Sequence, residues 1–148
     1  MDLREIPITS LIPQRPPFVM VDYVESCDMV DAVTKFTVRP DNIFLDDGLL
    51  SSSGIIESIA QSCAARMGCI NRMRNESIKI GYIGDIRNCV IHRQPKSGEQ
   101  LTIHVHILED VFHLTLAEVT MKSAEEILAT ALIKIALTDM EASDLVNA

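Results

Sequence analysis

Apolar and polar positions divide the chain into a strand-rich opening, one long apolar helix and a strand-rich remainder. Phe18–Val24 is apolar and β-branched and predicts a strand. Val30–Val38 predicts a second, with Val30, Ala32, Thr34, Phe36 and Val38 on one face and Asp31, Val33, Lys35 and Thr37 on the other. Asp28-Met29 suits a tight turn between them, so the two are expected as a hairpin. Ahead of them, Ile6–Ile12 has room for a helical turn, and Pro13, Pro16 and Pro17 then force an extended or turning path.

After an Asp-rich loop, Pro40–Gly48, three hydroxyls at Ser51, Ser52 and Ser53 offer an N-cap. A helix is predicted from Gly54 to Arg74. Ile55, Ile56, Ile59, Ala60, Cys63, Ala64, Met67 and Ile70 spread over most of its surface, the mark of a buried helix. Its length, about 30 Å at roughly 1.5 Å per residue, crosses a small domain. Four strands are expected beyond it, at Lys79–Ile91, Gln100–Leu108, Phe112–Met121 and Ile127–Leu137, running as a meander. Their turns are expected at Pro95–Gly98, Glu109-Asp110 and Ser123–Glu126, and Thr138–Ala148 is expected to fray. A long apolar helix beside one antiparallel sheet must be wrapped by that sheet. The fold class is therefore α+β, a hot-dog: an antiparallel sheet around one central helix, in a single domain over 1–148.

Composition narrows the function classes. Of 148 residues, 47% are apolar, which supports a folded core without staples. The start of the chain carries no apolar leader, and no run of about 18 apolar residues exists, so neither a secretory signal nor a membrane span is expected. The four cysteines, Cys27, Cys63, Cys69 and Cys89, form no CxxC pair or Cys/His spacing and sit among apolar neighbours. They read as reduced core thiols of a cytoplasmic protein. GxGxxG, P-loop and GxSxG signatures are absent, so no metal and no cofactor is predicted. The net charge of −8 argues against a nucleic-acid partner. Yet Arg66–Lys96 holds seven basic residues against two acids, a local +5 that leaves −13 for the remainder.

Three co-linear motifs then stand out. Leu11-Ile-Pro-Gln-Arg-Pro-Pro-Phe-Val-Met-Val-Asp22 resembles the L-x-P-H-R-x-P-F-L-L-V-D opening of β-hydroxyacyl-acyl-carrier-protein dehydratases. Ile56-Glu57-Ser58-Ile59-Ala60-Gln61 resembles their V-E-A-x-A-Q helix segment. Gly81–Leu101 resembles their F-x-G-I-x-x-x-R-F-x-x-P-V-x-P-G-D-x-L stretch. Together they identify a resemblance to that family over Leu11–Leu108, and within it to the dehydratase-like proteins of aryl-polyene clusters.

The resemblance implies a dimer whose helices lie side by side, with an acyl-phosphopantetheine tunnel at the interface. There a His from an H-F-P-G loop of one subunit removes the α-proton, and a helical carboxylate of the other assists loss of the β-hydroxyl. Glu57 falls on that carboxylate. It is the only acid between Gly48 and Arg74 and sits among Ile55, Ile56 and Ile59, where desolvation is expected to raise its pKa and suit it to acid/base work.

The loop His is missing: Asp41–Gly48 contains none, and the His of the proline motif is Gln14. His92, His104, His106 and His113 read as solvent-facing sheet residues, and Asp46 or Asp47 is a candidate base near the missing position, set against the plainer reading of a solvated turn. Three functions follow. One is a 3-hydroxyacyl-carrier-protein dehydratase with altered chemistry. Another is a half-site lending Glu57 to a heterodimer. The last is a non-dehydratase, either a thioesterase or a non-catalytic acyl-binding subunit.

Phe18, Met20, Ile55, Ile59, Met67 and Tyr82 are candidates to face the acyl chain. Arg66, Arg72, Arg74, Arg87 and Arg93 are candidates to receive an acidic acyl carrier protein or the pantetheine phosphate. An open sheet edge makes a dimer the minimum, homodimer or heterodimer.

Overall fold

The structure is a computed structural model. It describes residues 2–76 and 79–141, with side chains except at 79, 80, 82 and 137–141. Two short 3-10 turns, Leu3–Glu5 and Ile8–Ser10, precede β1 (Tyr23–Cys27) and β2 (Asp31–Thr37). A small hairpin, β3 (Leu45–Asp46) and β4 (Leu49–Leu50), leads into helix α1 (Ser52–Met73). Four long strands follow: β5 (Lys79–Ile91), β6 (Gln100–Val111), β7 (Leu114–Ser123) and β8 (Glu126–Glu141). One six-stranded antiparallel sheet has the order β1-β2-β6-β7-β8-β5 and wraps the single long helix, the hot-dog arrangement expected. Among the described residues, no helix is long and apolar enough to cross a membrane.

The core lies between sheet and helix. Phe36, Leu101, Ile103, Met121 and Ile133 from the strands meet Ile55 and Ile59 from the helix, all fully buried. Each such side chain contributes about 1.5–3 kcal/mol by leaving water. Ala32, Thr34, Phe36 and Val38 form the buried face expected for β2, whereas Val30 lies exposed at the hairpin end. That hairpin turns at Asp28, whose Oδ1 accepts from the backbone N–H groups of Val30 and Asp31 at 2.8 Å. The helix begins where the serines pointed: Ser51 Oγ accepts from Gly54 N at 3.2 Å.

Four expectations need correction. The last strands are not a simple four-strand meander: β6, β7 and β8 are, but β5 crosses to the far edge beside β8, and β6 pairs with β2. Phe18–Asp22 is not a ladder strand. At Phe18 and Met20 its backbone is satisfied by helix side chains, with Gln61 bonding Phe18 O and Met20 N, and Ser58 Oγ donating to Met20 O at 2.9 Å, while Asp22 N donates to Lys35 O of β2 at 2.8 Å. Strand β6 runs through Glu109 and Asp110 and turns at Phe112 and His113, with a bulge after Ile107. Finally, β8 continues past Leu137 to Glu141, where it pairs with Lys79. The expected frayed end is therefore ordered strand as far as Glu141, and residues 142–148 lie outside the described residues.

Candidate functional site

From Gly54 to Asn71 every residue of α1 is buried except Ile56, Glu57, Ala60 and Ala64. At 3.6 residues per turn these four share one side of the helix. The sheet leaves that stripe uncovered, and Glu57 is its only charged member. Two alanines beside it leave room for close approach by another surface.

Glu57 is held by its own helix. One turn on, Gln61 Nε2 donates to Glu57 Oε1 at 2.8 Å and to Phe18 O at 2.7 Å, while Gln61 Oε1 accepts from Met20 N at 2.6 Å. The Met20 N–H can only donate, so it fixes which end of the amide is oxygen and turns both Gln61 N–H groups toward Phe18 O and the carboxylate. Gln61 is fully buried, as are Ser58 and Ser62 behind it. Ser62 Oγ lies 2.7 Å from Thr34 Oγ1 and donates to Ser58 O at 2.7 Å. This polar row ties the helix to β2 and to the proline-motif segment. Within that segment, Arg15 Nη1 donates to Ile12 O at 3.0 Å and Gln14 O at 2.8 Å, and Asp22 accepts from Thr37 N at 2.7 Å. The motif's Arg and Asp therefore shape the loop.

A cavity of about 60 Å³ continues the open stripe. Ala60, Ala64 and Met67 of the helix form one wall, Gln14 another, and Gly81 and Ile83 of edge strand β5 a third. Gln14 Oε1 is buried with no partner among the described residues. Cys63 also lines the cavity, but burial pushes its thiol up to about 12, so it is no nucleophile near neutral pH. Strand β5 is an edge of the sheet among the described residues, and Ile83 and Val90 are exposed on it.

The structure sorts the sequence candidates. Phe18 lies exposed beside the Gln61 clamp. Met67 lines the cavity, but Ile55, Ile59 and Met20 pack wholly in the core, facing the sheet rather than the open stripe. Tyr82 sits on β5 with its side chain outside the described residues. Ala60, Ala64 and Gln61 are the residues that sequence reasoning missed as site components. Spacing of three, four and seven from Glu57 was the available signal. Of the cysteines, Cys63 and Cys69 are buried and Cys27 is half-buried, whereas Cys89 is exposed on the edge strand rather than in the core.

The basic island breaks up. Arg66 is only 4% exposed and turns inward, donating to Met29 O at 3.0 Å with Asp110 3.9 Å away, so it is not a surface receptor. Arg93 is held by Glu99 at 2.8 Å and Glu126 at 2.9 Å, which neutralise it. Arg87 pairs with Asp85 on its own strand. Arg72 and Arg74 stand exposed at the helix end.

The loop before the helix holds no base against Glu57. Asp46 and Asp47 are exposed at the β3–β4 turn, where Asp47 (φ 51°) and Gly48 (φ 77°) take the left-handed conformation of a tight hairpin. Among the described residues, the hydrogen-bond partner of Glu57 is Gln61.

The family model described as ApeP dehydratase matches residues 6–147. The 3-hydroxyacyl-[acyl-carrier-protein] dehydratase FabZ of Oceanobacillus iheyensis is 29% identical over 114 residues, covering 73% of this chain and 78% of that protein. Among solved structures, the dehydratase heterocomplex ApeI:P from Xenorhabdus doucetiae is similar at TM-score 0.85 and 21% identity, covering 97% of this chain and 99% of that one. A sigma28-regulated virulence protein of Campylobacter jejuni is similar at TM-score 0.69 and 15% identity, covering 93% and 90%.

Proposed function

This chain belongs to the ApeP-like dehydratase family, and from that premise we propose that it supplies Glu57 to a 3-hydroxyacyl-carrier-protein dehydratase site completed by a second hot-dog subunit bearing the His. One observation carries the reading. Among the described residues, Glu57 lies on the open stripe of a buried helix with no His against it, and Ala60 and Ala64 of the same stripe face Gly81 and Ile83 of the edge strand β5 across the cavity. A second subunit pairing along β5 would cover that stripe and bring its own residues to Glu57. The solved relative that is a dehydratase heterocomplex supports a two-chain site, and the FabZ relative supports dehydration as the reaction.

In that site the His of the other subunit takes the α-proton of a 3-hydroxyacyl thioester. The Glu57 carboxyl gives a proton to the departing β-hydroxyl, so water leaves and a 2-enoyl thioester remains. The first backbone N–H groups of α1, at Ser52 and Ser53, polarise the thioester carbonyl. Gln61 acts as a positioning residue for Glu57. The acyl chain runs along Ala60, Ala64 and Met67, and the acidic carrier protein meets Arg72 and Arg74.

The test is to assay the purified chain, alone and mixed with a His-bearing hot-dog subunit from its own gene neighbourhood. Enoyl thioester and free thiol are both followed. Dehydration by the mixture but not by the chain alone is expected. Equal dehydration by the chain alone contradicts the shared site, and thiol release without enoyl product makes the chain a thioesterase.

A further inference from the structure

His104 and His106 alternate along β6 and therefore project from the same, outer face of the sheet. The residues that alternate with them, Ile103 and Val105, are fully buried in the core and hold that pleat in place. On the neighbouring strand β2, Asp31 is in register with His106. Asp31 Oδ1 lies 2.7 Å from His104 Nε2 and 2.7 Å from His106 Nδ1. The two imidazoles thus turn one ring nitrogen each toward the same carboxylate oxygen. All three candidate ligand atoms fall within 4.8 Å of one another. On the other side of β6, Glu118 of β7 is the register partner of His106 and is exposed on the same face. Such cross-strand neighbours have Cβ atoms about 4.5–5.5 Å apart.

We propose that Asp31, His104 and His106 form a binding site for a divalent transition-metal ion, with Glu118 as a fourth ligand or a partner to the bound water. Two imidazoles and a carboxylate suit zinc, cobalt, nickel or copper(II) rather than calcium or magnesium, which take oxygen ligands. Metal bonds of about 2.0–2.2 Å require ligand atoms roughly 3.3 Å apart in a tetrahedral site. Both carboxylate–imidazole spacings are 2.7 Å and all three ligand atoms lie within 4.8 Å, so binding calls for a small side-chain rotation that opens the Asp31 contacts. On binding, each imidazole offers the nitrogen that faces Asp31 as a lone-pair donor and carries its ring proton on the other nitrogen, so both ligate as neutral groups. The site lies on the outer face of the sheet, whereas α1 and Glu57 pack on the inner face. An ion there clamps β2 to β6 and acts on stability rather than on the acyl site.

The test uses the full-length chain without a histidine tag, stripped of metal by chelation. Titration with Zn²⁺ by calorimetry is expected to give one ion per chain and a rise in Tm that follows the free-ion concentration. Co²⁺ is expected to broaden the ring NMR signals of His104 and His106 while sparing those of His92 and His113. His104→Ala/His106→Ala is expected to weaken binding at least about 10-fold. Asp31→Asn, which keeps the side-chain shape, is expected to do the same, so the result does not hang on one variant's folding. Unchanged affinity in both variants, broadening of His92 or His113 instead, or no binding by the wild type up to millimolar Zn²⁺ overturns the proposal.

Discussion

Gln61 donates to Glu57 across one helical turn, at 2.8 Å, with the same amide nitrogen that holds Phe18 O at 2.7 Å. The amide therefore links the orientation of the candidate acid to the seating of the proline-motif segment. Replacing Gln61 with Leu keeps the volume but strands the Met20 N–H and the Phe18 C=O. We expect a loss of about 2–4 kcal/mol in unfolding free energy, and a fall in dehydration larger than destabilisation alone explains. Denaturant unfolding and kcat measured on the same samples check both. A stable variant with full activity would show that the clamp does not position Glu57.

Gly68 is where the amino-terminal segment crosses the helix. A Cβ built on it would lie 2.0 Å from the carbonyl oxygen of Leu11, a backbone atom that cannot swing away. In an open helix Gly→Ala stabilises by about 1 kcal/mol. Here Gly68→Ala is expected to destabilise by about 2–4 kcal/mol, the opposite sign, and a thermal melt decides it.

The Arg93 guanidinium bonded to Glu99 holds that carboxyl down at about 2 from its ordinary 4.5, with the Lys96 N–H and the Ser123 hydroxyl adding to the effect. A depressed acid contributes stability that is complete above its unfolded pKa and is lost as pH falls through its folded one. The Tm gap between wild type and Glu99→Gln should therefore be full near neutrality and shrink between about 4.5 and about 2. A gap that stays constant over that window would mean that the ion pair does not stabilise the fold.

Arg72 and Arg74 are the exposed arginines left at the helix end once Arg66 and Arg93 are accounted for internally. Reversing both, Arg72→Glu/Arg74→Glu, is expected to lower kcat/KM on a carrier-bound acyl substrate about 10-fold or more, with the loss easing at high salt. Turnover of a small soluble thioester should be unchanged. Equal losses on both substrates would place these residues elsewhere in the mechanism.

Local pattern carried much of this fold. The hydroxyls at Ser51–Ser53 and the apolar run after them mark α1 within two residues of where it begins, and the alternation of Leu101, Ile103 and Val105 marks the inner face of β6. The neighbour of β5 was beyond reach, because periodicity says that Lys79–Ile91 is extended but not that β8 lies beside it. Phe18–Asp22 misled for a related reason: Phe18 and Met20 pair with the side chains of Gln61 and Ser58, and only Asp22 reaches β2. Glu57 stood out as a candidate through its motif. The stripe of Ala60 and Ala64 beside it emerges only when the sheet shows which side of the helix it leaves bare. Charge was the least legible, since Arg66 finds Met29 and Asp110, and Arg93 finds Glu126, on segments distant in sequence.

The central claim is that Glu57 is the carboxylate of a dehydratase site. The direct measurement compares wild type with Glu57→Gln in the two-subunit mixture, following enoyl thioester formed from a 3-hydroxyacyl thioester, with Tm recorded on each sample. The account predicts a rate lower by about 10²–10⁴-fold at a nearly unchanged Tm. A Glu57→Gln mixture that dehydrates as fast as wild type would contradict it.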